Sequence, residues 1–264
     1  MVMSINSSGH LLSSQATDTQ QTLKRIATGH RINSAADDAA GLAIATRFET
    51  QLGGMDTAMR NAGDGISLFQ TGEGAMESLT SNIQRMRELA LSSANGTLNN
   101  DDRKALQAEV TQLQEANQHI IDTSNFNGIK LFGADSKLSF QVGPNTGDQI
   151  NVSSDLSQIL KDSQGISIGS AAQASEALSK LDASLESISQ ARSEFGAVQN
   201  RFESTITQQA QARENTAAAN SRIRDSDIAR EASTLAQQKI RDQAGIAVQA
   251  QANAQAQQVL KLLG

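Results

Sequence analysis

The most regular feature of the chain is the spacing of its apolar residues, which recur in alternating steps of three and four positions. In one stretch they are Met76, Leu79, Ile83, Met86 and Ala90. The same spacing recurs at 106–120, where it passes through Asn117, and at 178–202. It places one narrow apolar stripe along a helix, so we predict long helices that pack in coiled-coil fashion.

The middle of the chain has a different pattern. Residues 138–142 and 150–152 alternate apolar and polar side chains, and the turn-forming sequence GPNTGD lies between them. Asn127-Gly128 marks a second turn. We therefore predict a mainly α fold, in which the N- and C-terminal regions form an elongated antiparallel bundle or coiled coil and a small β-hairpin region lies in the middle.

Glycine and proline locate the helices. The only proline is Pro144, as expected if both flanks are mostly helical, since a proline costs about 3 kcal/mol inside a helix. Several glycines between Gly41 and Ser93 either break that segment or allow a neighbouring backbone to come close, and we predict a largely continuous helix. The sequence NGTLNNDD at 95–102 ends this helix and begins the next, with Asn99 to Asp102 supplying N-terminal caps.

The two ends of the chain are poor in large apolar residues. Residues 4–32 and 244–264 consist mainly of small, amide and hydroxyl side chains, apart from a final Val-Leu-Lys-Leu-Leu. Isolated helices with so little to bury are marginal in water. We predict that both ends are disordered in a monomer and fold only against partners.

Composition excludes several classes of protein. The net charge is −6 and no stretch forms a basic surface, which argues against nucleic-acid binding. No run of about 20 apolar residues exists to span a membrane, and the N-terminus lacks the pattern of a secretory signal peptide. Without cysteine there are no disulfides or thiolate metal sites. These facts predict a cytosolic protein or one exported without a cleaved signal.

Catalytic chemistry has little support. The histidines are His10, His30 and His119, and no HExxH, GxSxG or phosphate-binding loop motif is present. His30 lies near the pair Asp37-Asp38, but Ser34 precedes Asp37 at the spacing of a capping box. We therefore predict that both aspartates lie in the first turn of a helix as structural residues. No catalytic residue, cofactor or metal is expected.

Several motifs together resemble bacterial flagellins over nearly the whole chain. They are RINSAADDAAGLAIATRF (31–48), RNAGDGISLFQTGEGAMESL (60–79), QRMRELALSSANGT (84–97), FNGIKLF (126–132), FQVGPN (140–145), GAVQNRF (196–202), SRIRDSDIARE (221–231) and QAQANAQAQQVLKLL (249–263). The resemblance implies a structural subunit that polymerises with copies of itself into the extracellular flagellar filament used for swimming.

The family's organisation implies five regions. Residues 1–40 and 221–264 correspond to the inner filament-core domain, and 41–123 and 171–220 correspond to the helical rod domain. Residues 124–170 correspond to the small β region and a short connection in place of a variable outer domain. The residues expected to act in subunit packing are Arg31, Ile32, Asn33, Asp37, Asp38, Gln199, Asn200, Arg201, Phe202, Val259, Leu260, Leu262 and Leu263.

The resemblance also implies partners. Flagellins are held in the cytoplasm by an export chaperone at the C-terminal region, leave through the flagellar type III export apparatus, and assemble beside cap and junction proteins. QRMRELA matches the segment sensed by a vertebrate Toll-like receptor, which makes Gln84, Arg85 and Leu89 candidate contacts on an exposed helix face. His30 stands where the family usually has leucine.

Two other functions are also compatible with the sequence. A hook–filament junction protein shares the terminal helices, although the RINSAADDAAG and QNRF motifs argue against it. A cytoplasmic helical scaffold module would share the helical pattern without polymerising. Growth of long filaments from purified protein distinguishes the filament subunit from both.

Overall fold

The structure, a computed structural model, describes residues 17–132, 137–153 and 165–263. The expectations for His10 and for the N-terminal residues before 17 lie outside this part. The helices are α1 (17–28), α2 (Ala39–Ser93), α3 (Asn100–Thr123), α4 (Ala171–Arg224) and α5 (Ile228–Leu263). The strands are β1 (Asn125–Phe126), β2 (Ile129–Lys130), β3 (Lys137–Gln141) and β4 (Gln149–Ser153). The prediction of a mainly helical chain with a small β region in the middle is confirmed.

The chain divides into two compact units. A terminal unit contains Met1–Leu52 and Glu214–Gly264, and a central unit contains Gly53–Arg213. The central unit holds the larger apolar core, and its members include every position of the predicted stripe from Met76 to Ala90, each at most 1% exposed. The periodicity therefore predicts the buried side of α2 correctly.

Helix α2 is continuous through its glycines, as predicted. Gly65 and Gly72 face the rings of Phe202 and Phe195, and an added methyl group would lie 2.9 Å and 2.8 Å from ring carbons. These two glycines therefore make room for aromatic side chains of α4, whereas the sequence had predicted the approach of a backbone. Gly63 faces open space.

These glycines give a matched pair of substitutions. Gly65→Ala is expected to lower the free energy of unfolding by about 1–3 kcal/mol because the new methyl overpacks against Phe202. Gly63→Ala is expected to raise it by about 0.5–1 kcal/mol, since alanine is the better helix former and nothing obstructs it. Urea unfolding followed by circular dichroism measures both changes, and equal shifts would contradict the packing described for Gly65.

Four phenylalanines form the centre of the same core. Phe69 of α2 packs edge-on against Phe195 with ring centroids 4.8 Å apart, and Phe140 of β3 packs against Phe202 at 5.3 Å. Phe69 and Phe202 are fully buried. Aromatic rings in this arrangement add stability beyond the area they bury.

The β region fits the alternating pattern of its sequence. Strands β3 and β4 are antiparallel, with Leu138 opposite Val152 and Phe140 opposite Ile150. Strands β1 and β2 form a second, shorter hairpin around Asn127 and Gly128, whose φ angles of 51° and 81° are those of a tight hairpin turn. Both predicted turns are confirmed.

Two sets of hydrogen bonds stabilise the corner between α2 and α3. Asn99 caps α3 as predicted, since its side chain accepts hydrogen bonds from the backbone N–H groups of Asp101 and Asp102, and the Asp102 carboxylate accepts one from the backbone N–H of Asn99. Arg103 is 9% exposed, and its guanidinium donates to the carbonyl oxygens of Ser93, Leu98 and Asn95 at 2.8–3.0 Å. Nothing in the local pattern of residues predicted the role of Arg103.

Candidate subunit-packing surfaces

In the terminal unit, the connector before α2 is joined to the end of α4 and to the connector that follows it by what we call the connector clasp, residues 29–31 with residues 223–226. His30 and Asp225 form an isolated antiparallel bridge. The other hydrogen bonds of the clasp run from Arg31 N to Arg224 O (2.6 Å), from Ser226 N to Gly29 O (2.9 Å) and from the Arg31 guanidinium to Ile223 O (2.8 Å). The predicted packing residue Arg31 therefore joins segments from opposite ends of the sequence.

The double aspartate acts in capping, but one step earlier than predicted. Helix α2 begins at Ala39, so neither acid lies in its first turn. Asp38 accepts from Gly41 N at 2.8 Å, in the manner of an N-cap. Asp37 closes the preceding turn by accepting from the backbone of Asn33 and from the backbone and hydroxyl of Ser34.

The expectation that Ser34 caps the helix was wrong, because its hydroxyl is already used by Asp37. The hydrogen bonds from Asn33 N and the Ser34 hydroxyl lower the pKa of Asp37 below its usual value. His30 bonds to Asp225 and not to either acid, so these three groups do not converge on a reaction site.

The other predicted packing residues divide between interior and surface. Ile32 and Phe202 are 2% and 0% exposed, so both are used inside the chain. Asn200 and Arg201 lie on the exposed side of α4, and Gln199 is half-buried with its amide nitrogen shielded and unbonded. The backbone of residues 259–263 continues α5, while the side chains of Val259, Leu260, Leu262 and Leu263 lie outside the described part.

The QRMRELA face differs from the expectation in one residue. Gln84 and Arg85 are exposed, but Leu89 is 4% exposed and belongs to the core, so it is no surface anchor. Arg85 donates to Glu109 at 2.8 Å and to Glu88 at 3.1 Å, which raises the pKa of Arg85 above its usual value. A partner at this face would meet an arginine already engaged by two carboxylates.

Three ion pairs join α2 to α4 inside the central unit. They are Asp56–Arg213 at 2.5 Å, Glu73–Arg192 at 3.5 Å and Arg87–Asp182 at 2.6 Å. The acid is on α2 in the first two and on α4 in the third, so the pairs fit only the antiparallel arrangement. The local sequence pattern does not predict these pairs, because only the relative positions of the two helices determine which arginine meets which acid.

Among the described residues, helix α5 carries the largest set of exposed large apolar side chains. Ile228, Ile240, Ile246 and Val248 are 54%, 66%, 61% and 69% exposed. On one side α5 contacts α1, through Arg25–Glu231 at 3.5 Å and a hydrogen bond from Thr19 to Asp242 at 3.4 Å. The four apolar side chains named above are each more than half exposed.

Among the described residues, no group of three or more His, Cys, Asp or Glu side chains is placed to hold a metal ion. Across 17–132, 137–153 and 165–263, no helix is both long and apolar enough to cross a lipid bilayer.

Comparison with known proteins identifies the family. The family model of the bacterial flagellin N-terminal helical region matches residues 2–137, and that of the C-terminal helical region matches residues 178–263. The chain is 44% identical to a flagellin of Halalkalibacterium halodurans, over 92% of this chain and 91% of the relative. It is 36% identical to the flagellar filament 30.7 kDa core protein of Treponema maltophilum, over 92% of each chain.

Solved structures agree. The crystal structure of Bacillus cereus flagellin is 29% identical and matches with a TM-score of 0.52, over 57% of this chain and 88% of that one. A hook-associated protein of Vibrio parahaemolyticus matches with a TM-score of 0.61 over 71% of this chain and 99% of that one, but at 14% identity this shows only a shared fold. The chain therefore belongs to the bacterial flagellin family, whose members are structural subunits of the flagellar filament.

Proposed function

We propose that this flagellin polymerises by burying the exposed apolar side chains of α5 among several neighbouring subunits at once. An α-helix turns by about 100° per residue. Relative to Ile228, the side chain of Ile240 therefore points about 120° away, that of Ile246 about 0° and that of Val248 about 200°. A dimer would cover one face of the helix, whereas these directions require neighbours on more than one side.

The energetics support the same proposal. Full burial of an aliphatic side chain is worth about 1.5–3 kcal/mol relative to exposure. In the single chain the exposed apolar side chains of α5 gain little of this free energy of burial. Helix α5 therefore has little favourable free energy to offset the conformational entropy lost when it becomes ordered. Helices α1 and α5 are then stabilised when copies surround them, and a contact that joins unlike surfaces without closing produces a filament.

Substitutions on the different faces of α5 test this proposal. Ile240→Gln, Ile246→Gln and Val248→Gln are each expected to raise the critical concentration for polymerisation by about ten- to a hundredfold, as loss of that burial requires. Sedimentation of seeded filaments, with negative-stain microscopy, measures the effect. Lys104→Gln, which changes a 78% exposed side chain of α3 in the central unit, is the control and should polymerise normally.

The outcome also separates the alternatives. If only one of the three faces matters, α5 forms a two-chain contact and the multi-neighbour proposal fails. If the unsubstituted protein never elongates seeds, the chain behaves as a junction or scaffold protein. Both results differ from the result expected here, in which each of the three substitutions raises the critical concentration for polymerisation.

The remaining assignments follow from the family resemblance. In this proposal residues 1–40 and 221–264 form the inner filament core and residues 41–123 and 171–220 the surrounding helical rod, with 124–170 toward the outside. Arg31, Asn33, Asp37 and Asp38 fix the turn between these regions. Ile32 and Phe202 act by holding their own subunit together, because both are buried within it.

The proposed life of the subunit has a cytoplasmic stage before the extracellular one. An export chaperone would hold the C-terminal region, and the uncovered apolar side chains of α5 supply a reason for needing one. Passage through the type III export apparatus and assembly beside cap and junction proteins would follow. The role is structural and involves no catalysis. A Toll-like receptor contact would rest on Gln84 and Arg85.

A further inference from the structure

Asparagine is followed directly by glycine at two places in the chain, Asn95-Gly96 and Asn127-Gly128. Both pairs belong to the central unit, and all four residues are exposed. An asparagine loses its side-chain amide when the backbone nitrogen of the next residue attacks the side-chain carbonyl carbon, and a glycine leaves that nitrogen least hindered. The surroundings of the two pairs differ, so we expect the two asparagines to react at different rates.

At Asn95 the chain supplies a donor to each of the two oxygens that take up charge in this reaction. The backbone N–H of Thr97 donates to Asn95 Oδ1 at 3.1 Å, and this oxygen becomes negative when the nitrogen attacks. The Arg103 guanidinium donates to the backbone carbonyl oxygen of Asn95 at 2.8 Å. Because this carbonyl shares its peptide bond with Gly96 N, a cation there favours loss of the proton from that nitrogen. No hydrogen bond within the described part of the chain uses the Gly96 N–H.

The second pair is held in a different conformation. Asn127 and Gly128 form the turn of the β1–β2 hairpin, with φ angles of 51° and 81°, between the paired residues Phe126 and Ile129. Among the described residues other than glycine, only Asn127 has a positive φ. The five-membered ring formed in the reaction fixes the rotation about the bond between Cα and the carbonyl carbon of the asparagine. Asn127 therefore has to leave its turn before it can react.

We propose that Asn95 is a site of self-catalysed deamidation in the folded subunit. Gly96 N loses its proton and forms a bond to Asn95 Cγ, the bond between Cγ and Nδ2 breaks, and Nδ2 takes up that proton and leaves as ammonia. Water then opens the cyclic imide at either of its carbonyl groups, which gives aspartate or isoaspartate at position 95. The loop is exposed, so water reaches it. This reaction does not depend on the proposed assembly.

Both products change the corner between α2 and α3. Aspartate adds one negative charge to the loop. In isoaspartate the main chain passes through the former side chain and is longer by one carbon atom. The oxygen bound by Arg103 then belongs to a free carboxylate, which binds a guanidinium more strongly than a peptide carbonyl does.

The rates at the two asparagines test the proposal. The unsubstituted protein is kept in mildly alkaline buffer, and peptide mapping by mass spectrometry follows both sites, with the isoaspartyl peptides separated by chromatography. Asn95 is expected to deamidate about tenfold faster than Asn127, the effect of one hydrogen bond to a developing charge. In concentrated guanidinium chloride the two rates should become similar. Equal rates in the folded protein, or a ratio that unfolding does not change, overturn the proposal.

Gly96→Ala tests the attacking nitrogen. A methyl group at position 96 meets nothing within 4 Å, so this variant should fold. It should slow the reaction at Asn95 several-fold, because the methyl hinders Gly96 N, and should leave the rate at Asn127 unchanged. An unchanged rate at Asn95 overturns the attack by this nitrogen.

Arg103→Met tests the activation by the guanidinium. The reaction at Asn95 is expected to become slower in this variant, although the corner becomes looser. An arginine that acted only in holding the loop would have the opposite effect, since loosening lets the ring form more often. A faster reaction at Asn95 therefore overturns the activation by Arg103. The rate at Asn127, measured in the same sample, is the control for general unfolding and should stay the same.

Discussion

Replacing Phe202 by alanine is expected to lower the free energy of unfolding of the central unit by about 3–5 kcal/mol. The ring is fully buried, contacts Phe69 and Phe140, and fills the space left by Gly65. Its removal leaves a cavity that a glycine on the facing helix cannot close. Urea unfolding monitored by circular dichroism measures the loss.

The control for Phe202→Ala is Ile129→Ala. Ile129 also belongs to the central unit but is 48% exposed, so its truncation should change the free energy of unfolding by less than about 1 kcal/mol. Equal effects of the two substitutions would show that the four phenylalanines do not form the centre of the core. Filaments of Phe202→Ala should also fail at a lower temperature, because the defect lies inside each subunit.

Replacing Arg103 by methionine is expected to lower the free energy of unfolding by about 2–4 kcal/mol, the second largest effect we predict. Methionine keeps most of the aliphatic stem but leaves the carbonyl oxygens of Ser93, Asn95 and Leu98 without their donor. Arg103→Lys should recover little, since one ammonium group cannot reach three acceptors as a planar guanidinium does. Thermal and urea unfolding measure both variants.

The neighbouring residue provides the control for Arg103. The side chain of Lys104 is 78% exposed and pairs only locally with Asp101, so Lys104→Met should change stability by less than about 0.5 kcal/mol. Similar losses for the two substitutions would mean that the charge itself, and not the hydrogen bonds of Arg103 to the carbonyl oxygens of Ser93, Asn95 and Leu98, stabilises this corner.

Sequence periodicity predicted the parts of the fold that depend on local pattern. The stripe from Met76 to Ala90, the β3–β4 strands and the Asn99 cap all follow from residues a few positions apart. Leu89 shows where this fails. A two-residue-per-heptad stripe assumes one neighbour, but α2 packs against α3 and α4 together and so buries a wider face.

Long-range contacts account for the other differences. Ser34 has the spacing of a helix cap, but the turn closed by Asp37 moves the start of α2 to Ala39. Arg103 and the three α2–α4 ion pairs look like ordinary surface charges in the sequence. Only the fold brings them to carbonyl groups or to acids on another helix. The resemblance to flagellins supplied the function, while the uncovered faces of α5 became evident only with the structure.

The pairing of α2 with α4 has a consequence for the order in which the protein folds during synthesis. Arg87 and Asp182 are 95 positions apart, and Arg192 and Glu73 are 119 apart. Contacts between residues so far apart in sequence form late in folding, because the entropy cost of closing a long loop comes before any stabilising contact is made. While the ribosome is still synthesising α4, the side of α2 that packs against α4 is exposed to solvent. The nascent subunit is therefore incompletely folded until the last third of the chain has emerged.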